Sequence, residues 1–155
     1  MIAPTPEAEY AAMRESDMVR FESKVDTSGP MAPLLNNTCW LWRGAVDKAG
    51  YPKFWLRGNS VTAQRAALHL DGVDLTPDDQ VINLCLNRLC VRRSHLAVGT
   101  LSDAHALRHR GRPRIGPGEL ALIRLLVREE EDRVGIIAQD LRLTPHFVEQ
   151  IARAG

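Results

Sequence analysis

Two cysteines and a histidine stand at even spacing in Cys85-x4-Cys90-x4-His95, and the remaining cysteine, Cys39, lies upstream beside Trp40. A structural metal site takes four ligands in a tetrahedron and favours thiolate and imidazole. Three cysteines with His95 make one such set for structural zinc, with no thiol left over. An odd number of cysteines does not suit a disulfide framework, and in a reducing compartment cysteines near a histidine read first as metal ligands. The alternative is three buried, inert cysteines and a loop histidine. A bound zinc would tie residue 39 to the loop at 85–95, and its binding energy would be folding energy. The chain has 155 residues and only 5% aromatics. Its core therefore leans on Leu, Val, Ile and Ala, and small cores of this kind often need a staple.

The net charge is +1, but its distribution is uneven. Between 88 and 114 stand Arg88, Arg92, Arg93, Arg108, Arg110, Arg112 and Arg114, against Asp103 alone. A local basic stretch in a near-neutral chain is the footprint of a phosphate-facing surface, or else a solvated charged face. No apolar run is long enough to span a bilayer. The first twenty residues lack the apolar core of a signal peptide and carry Glu7, Glu9, Glu15 and Asp17. The expectation is a cytoplasmic protein with no membrane partner.

The expected fold class is α+β. Residues 1–19 form an N-terminal tail and helix, with Tyr10, Met13, Val19 and Phe21 as inward positions over Glu7 to Lys24. Cys39–Arg43 and Lys53–Arg57 are short strand-like runs. Val61 to Leu70 passes from strand into helix, stopped by Asp71-Gly72. Val81 to Leu89 holds a strand and a tight loop, and Ser94 to His109 ends in a helix. A linker follows at 110–118, with two prolines and three glycines in nine residues. Three helices are expected after it: Glu119–Val127, Val134–Leu141, and a third opened by Thr144 as N-cap with Pro145 in its first turn.

Several of these residues resemble the HNH endonucleases, in the phage and homing-type branch related to His-Cys box nucleases. The opening likeness lies in Arg20-Phe21-x-Ser23-Lys24-Val25, Cys39-Trp40-x-Trp42 and Gly50-Tyr51-x-x-Phe54. The central likeness is Val81-x-Asn83-Leu84-Cys85-x-Asn87-Arg88-x-Cys90-Val91-x-x-x-His95-Leu96, followed by Gly99-Thr100-x-x-Asp103-Ala104. It covers roughly residues 20–110. The resemblance implies a zinc-stapled ββα-metal domain over 20–109, with structural Zn2+ on Cys39, Cys85, Cys90 and His95. It also shows departures. The family carries its general-base histidine two residues before the first box cysteine, where this chain has Asn83. An amide takes no proton at neutral pH, so a step typically worth ~10²–10⁴-fold is removed. The family's metal-binding asparagine on the exit helix corresponds to Ala104, and a methyl group cannot ligate Mg2+. A histidine common before an arginine in the helix after the hairpin is replaced by Gln64, before Arg65. Asn87 is retained, with the expected job of bracing the loop. A single engineered change could explain Asn83 but not all three losses.

Arg110-Gly111-Arg112-Pro113-Arg114 holds the R-G-R-P core of AT-hook peptides, whose arginines fit an A·T-rich minor groove; the alternative is an ordinary basic linker. Residues 119–155 resemble a helix-turn-helix. Leu120, Leu122, Ile123, Leu126 and Val127 line its first helix, Ile136, Ile137 and Leu141 the second, and Phe147, Val148 and Ile151 the third. On that third helix, Gln150 is placed to read adenine and Arg153 to reach guanine or phosphate. The alternative is a helical cap or protein-contact module, facing RNA polymerase or a second subunit. The leading expectation is a non-catalytic protein binding double-stranded DNA, a regulator in a bacterium, phage-infected host or mobile element. The arginines of 88–114 with Arg65 would grip the backbone. A nuclease or nickase is the second reading. It would need Mg2+ and a relocated site drawn from Asp103, Arg65, His69 or His105. A zinc-stapled protein-interaction domain with no DNA role is the third.

Overall fold

The computed structural model describes residues 6–32, 35–108, 115–130 and 133–154, with backbone alone at 6–12 and 108. The chain opens with helix α1 (Pro6–Glu22). Four antiparallel pairs follow. Strands β1 (Val25–Asp26) and β4 (Leu41–Trp42) form one, and β2 (Met31–Ala32) and β3 (Asn37–Thr38) a second. In the third, β5 (Lys53–Leu56) meets β6 (Asn59–Thr62) across a two-residue turn. Arg57 and Gly58 both take positive φ there, 47° and 82°, which sets the strand twist of a tight hairpin. Helix α2 (Ala63–Leu70) starts where Thr62 Oγ1 accepts from the Arg65 N–H, and Arg14 of α1 donates to the Leu70 carbonyl at its far end.

The last pair carries the cysteine loop. Strand β7 (Gln80–Asn83) runs into residues 84–92, a short 3-10 turn at Arg93–His95 follows, and β8 (Leu96–Gly99) returns so that Asn83 faces Leu96. Helix α3 (Leu101–Arg108) comes next, so the order here is strand, loop, strand, helix. The C-terminal region holds α4 (Pro117–Glu129), α5 (Val134–Leu141) and α6 (Pro145–Arg153).

The β7–β8 pair separates two apolar clusters, because side chains alternate across a strand. Val81 and Leu96 join Phe21, Trp42, Phe54 and the inner face of α2. The three aromatic rings there lie 5.0–5.9 Å apart, tilted or edge-on. Ile82 and Ala97 point the other way, into a cluster that runs from Cys39 and Cys90 through Ala104 and Leu107 to Phe147, Val148 and Ile151. Helix α6 packs against β8 as well as α4 and α5. The C-terminal helices thus share one core with the cysteine loop. Ile115, inside the expected linker, is fully buried and donates its N–H to Ala106, and α4 begins two residues before Glu119.

Several local expectations are corrected. Met13 and Val19 are exposed, and only Phe21 of the described inward set turns in; the Tyr10 side chain lies outside the described residues. Leu122 and Ile136 are 54% and 62% exposed. Leu120, Ile123 and Val127 already form the inner stripe of α4, and Leu122 lies about 200° round the helix from Leu120. On α5 the buried positions are Ile137 and Ala138, about 100° and 200° round from Ile136. Over 94–109 the local sequence predicts only a helix, with Leu96-Ala97-Val98 as its lead-in; these residues form strand β8 instead.

Candidate metal centre

Cys39 reaches the site through backbone pairing rather than sequence proximity. Trp42 N–H donates to Leu89 O and Val91 N–H to Trp40 O, both at 2.8 Å, and Leu41 bridges Cys90 antiparallel. This short ladder lays the Cys39 segment alongside the Cys90 segment. Gly29 passes so close to the Cys39 carbonyl oxygen that any Cβ there would collide with it, and Cys39 N–H donates to Pro30 O at 2.8 Å. On the other side, Leu86 sits in the left-handed region at φ 59° and returns its N–H to Asn83 O, which curls Cys85 back toward Cys90.

The result brings together all four expected ligands. Cys39, Cys90 and His95 are buried and Cys85 is half-buried, and their ligand atoms lie within 4.8 Å of one another. His95 Nδ1 is 3.7 Å from Cys39 Sγ and 3.4 Å from Cys90 Sγ. Tetrahedral zinc with bond lengths of about 2.3 Å to sulfur and about 2.0 Å to nitrogen implies an S···N separation of about 3.5 Å. The group is therefore consistent with a structural zinc site. Among the described residues no other group of three or more His, Cys, Asp or Glu is gathered in this way.

His95 and Cys90 are poised for that chemistry, whereas the other two thiols would need the metal itself to draw off their protons. His95 Nε2 pairs with Asn37 Oδ1, so the ring proton belongs on Nε2 and the Nδ1 lone pair faces the sulfurs. The Cys90 thiol is held below the ordinary thiol range, first by the hydrogen bond from the Cys85 thiol, with further help from the Arg92 and Trp40 N–H groups. Cys85 is pushed far above the ordinary thiol range by that same shared hydrogen bond and by burial, and burial raises Cys39. With four protein ligands there is no open coordination position, so a metal here would cross-link the fold and not activate water.

The positions that correspond to catalytic residues in the resemblance hold this loop together instead. Asn83 Nδ2 donates to Asn87 O at 2.9 Å and to Cys90 O at 2.7 Å. Gln64 Nε2 donates to Arg88 O at 2.6 Å. Asn87 Oδ1 accepts from Leu89 N–H. Ala104 is packed in the core at 1% exposure. Asp103, one residue away, is completely buried and accepts from the N–H and hydroxyl of both Thr100 and Thr144. His105 is exposed on the outer side of α3, and His69 is half-buried on α2.

The arginines are distributed around the loop, with partners. Arg65 donates to Asp79 O and Thr76 O. Arg88 lies over the Tyr51 ring at 4.7 Å and donates to Ala49 O. Arg92 lies over Trp40 at 5.2 Å and donates to Thr38 O, and Arg93 pairs with Asp71 at 2.7 Å. Arg65 and Arg88 share with Asn83 an open groove of about 900 Å³. Arg108 ends α3, with its side chain outside the described residues, where Arg110, Arg112 and Arg114 also lie. Gln150 is turned onto β8: its Nε2 donates to Val98 O and its Oε1 accepts from Val98 N–H. Its amide is thus engaged within the fold and not presented to a base edge, while Arg153 is exposed in the last turn of α6.

Sequence reasoning did not find Asn37 or the stapling role of Asp103. The pair Asn36-Asn37 just before Cys39 is a signal for the first; the second depends on a partner forty-one residues away. Among the described residues no helix is long and apolar enough to cross a membrane. Compared with known proteins, the chain matches no family profile, no curated protein and no solved structure.

Proposed function

We propose that this protein binds double-stranded DNA without cutting it, on a scaffold of the HNH type whose catalytic positions have become structural, and that it acts as a regulator of gene expression or of a mobile element. The observation that carries this reading is the pair of hydrogen bonds from Asn83 to Asn87 O and Cys90 O. The side chain standing where the resemblance calls for a general base braces the cysteine loop and, being an amide, cannot take a proton at neutral pH. Gln64 repeats the pattern on the Arg88 carbonyl. The strand–loop–strand–helix order at 80–108 is compatible with the ββα arrangement that the resemblance implies. Support for DNA comes from the arginine-rich stretch of 88–114 and from Arg65 and Arg88 along the groove beside Asn83. Backbone contacts of this kind provide affinity without sequence information.

The test is to incubate the purified protein with fragmented genomic DNA and Mg2+, and to sequence both the retained fragments and any new ends. Enriched fragments without new ends are expected. New ends at defined positions that vanish with chelator would replace this reading with a nuclease, and no retention at all would leave it without DNA. Asn83→His is expected not to create cutting, because Ala104 offers no oxygen to a catalytic cation.

A further inference from the structure

The β5–β6 hairpin has two unlike faces. Along the extended chain, Pro52, Phe54 and Leu56 are buried, whereas Tyr51 and Lys53 are half-buried and Trp55 and Arg57 are exposed. With a repeat of two, Tyr51, Lys53 and Trp55 lie on one side, an aromatic–cation–aromatic row spanning about 13 Å. Arg57 follows at the turn. Across the pair, Lys53 faces Thr62 and Trp55 faces Ser60. Two short hydroxyl side chains cannot screen an indole, and Trp55 remains 59% exposed. The row leads into the open groove, where Tyr51 and Lys53 meet Arg65 and Arg88.

We propose that this face binds a single strand of nucleic acid, with a base stacked on Trp55 and phosphates on Lys53 and the groove arginines. The inference rests on the nucleic-acid reading above and adds to it a single-stranded contact at Trp55, which shares the groove arginines with the duplex but not the stacking surface. An exposed tryptophan on a protein-docking surface sits in a contiguous apolar patch. Here its neighbours on the face are a lysine and two hydroxyl residues. Non-specific single-strand sites combine those same elements: aromatic platforms beside cations that follow the backbone. Arg88 over Tyr51 gives the groove a second flat surface. The groove's carboxylates do not oppose an anion strongly. Asp47 faces Lys53 at 3.5 Å and accepts the Ala49 and Tyr51 N–H groups, and Asp79 accepts the Thr76 N–H. The Lys53–Asp47 pair is solvent-accessible, so a phosphate can compete for the ammonium.

The experiment measures fluorescence anisotropy of labelled oligothymidylate, and of a labelled duplex of the same length, with the zinc-loaded 155-residue chain. Trp55→Ala is expected to weaken single-strand binding on the order of tenfold or more and to change duplex binding less than about twofold. Trp55→Phe, which keeps a π-face, retains most of the affinity, and Trp55→Leu, which keeps only apolar area, does not. Single-strand binding that is undetectable, or that is indifferent to all three substitutions, overturns the inference while leaving duplex binding standing. Failure of the duplex alone to bind would instead remove the double-stranded reading and leave this one intact. Self-association of the wild type that Trp55→Ala abolishes, with no oligonucleotide bound, would assign the face to a second copy and overturn the proposal.

Discussion

Asn37 decides which nitrogen of His95 faces the sulfurs. Its Oδ1 takes the Nε2 proton, so Nδ1 is left as a lone pair 3.4 Å from Cys90 Sγ and 3.7 Å from Cys39 Sγ. Removing such an outer partner typically weakens metal affinity by about 10–100-fold without removing a ligand. Asn37→Ala is expected to do so, read by competition of the zinc-loaded protein with a chromogenic chelator; Asn37→Asp, which keeps the acceptor, should stay near wild type. An unchanged affinity for Asn37→Ala would mean that packing alone orients the ring. Asn83 acts on the same loop from the other side. Asn83→Leu leaves the inward-facing carbonyls of Asn87 and Cys90 without this donor, and a loss of about 1–3 kcal/mol in denaturant unfolding is expected. A neutral result would indicate that solvent replaces the amide.

The element that most departs from its sequence expectation is α6. Thr144 and Pro145 announce its start, and Thr144 Oγ1 does accept from Phe147 N–H. What the local pattern omits is that the helix is enclosed by β8, α4 and α5. Phe147, Val148 and Ile151 mark an inner side whichever surface covers it, so an amphipathic helix cannot announce its neighbours. Gln150 had the chemistry of a base reader, but its partner is Val98, fifty-two residues earlier. By contrast, the four candidate metal ligands were legible because thiols and imidazole declare their chemistry by residue type, wherever the chain brings them. Strand β8 was not legible because Leu96-Ala97-Val98 is a short apolar run without alternation, which periodicity alone cannot tell from the start of a buried helix. The joint between these elements is Asp103, which accepts from Thr100 at the start of α3 and from Thr144 at the start of α6. Gly99 makes room for it: a Cβ there would stand 2.9 Å from Asp103 Oδ2. Asp103→Asn turns an NH2 group toward one of these donors, and a destabilisation on the order of 3 kcal/mol is expected. Thr144→Ala should be worth about 1–2 kcal/mol alone. If Asp103 staples the two helices together, the double variant falls short of the sum in a denaturation cycle; strict additivity would deny the joint.

Across the whole molecule, the cysteine loop and the C-terminal helices belong to one apolar cluster, from Cys39 and Cys90 through Ile82 and Ala97 to Phe147 and Ile151. Ile115 is buried in it too, so the segment from 115 onward is anchored before α4 starts. A structural metal at Cys39, Cys85, Cys90 and His95 would hold together stretches of chain that otherwise meet through short ladders and a few side-chain bonds such as Arg92 to Thr38 O and Asn83 to Cys90 O. Its binding energy is then folding energy for the shared cluster and not for the loop alone. Calorimetry of the zinc-loaded protein should therefore show one unfolding transition, and chelation should lower or abolish it as a unit. The tertiary signals of Trp40 and Trp42, beside the cysteine loop, should be lost together with the helical signal of α4–α6. The opposite result has a definite form: two transitions, with the helical one indifferent to chelator. That would make α4–α6 a separately folding module despite the contacts of α6 with β8, and Gln150 could then leave Val98 to meet a ligand. A single chelator-sensitive transition ties the outward residues of α6 to the metal-loaded fold, so any surface they present is presented only when the cysteine loop is closed.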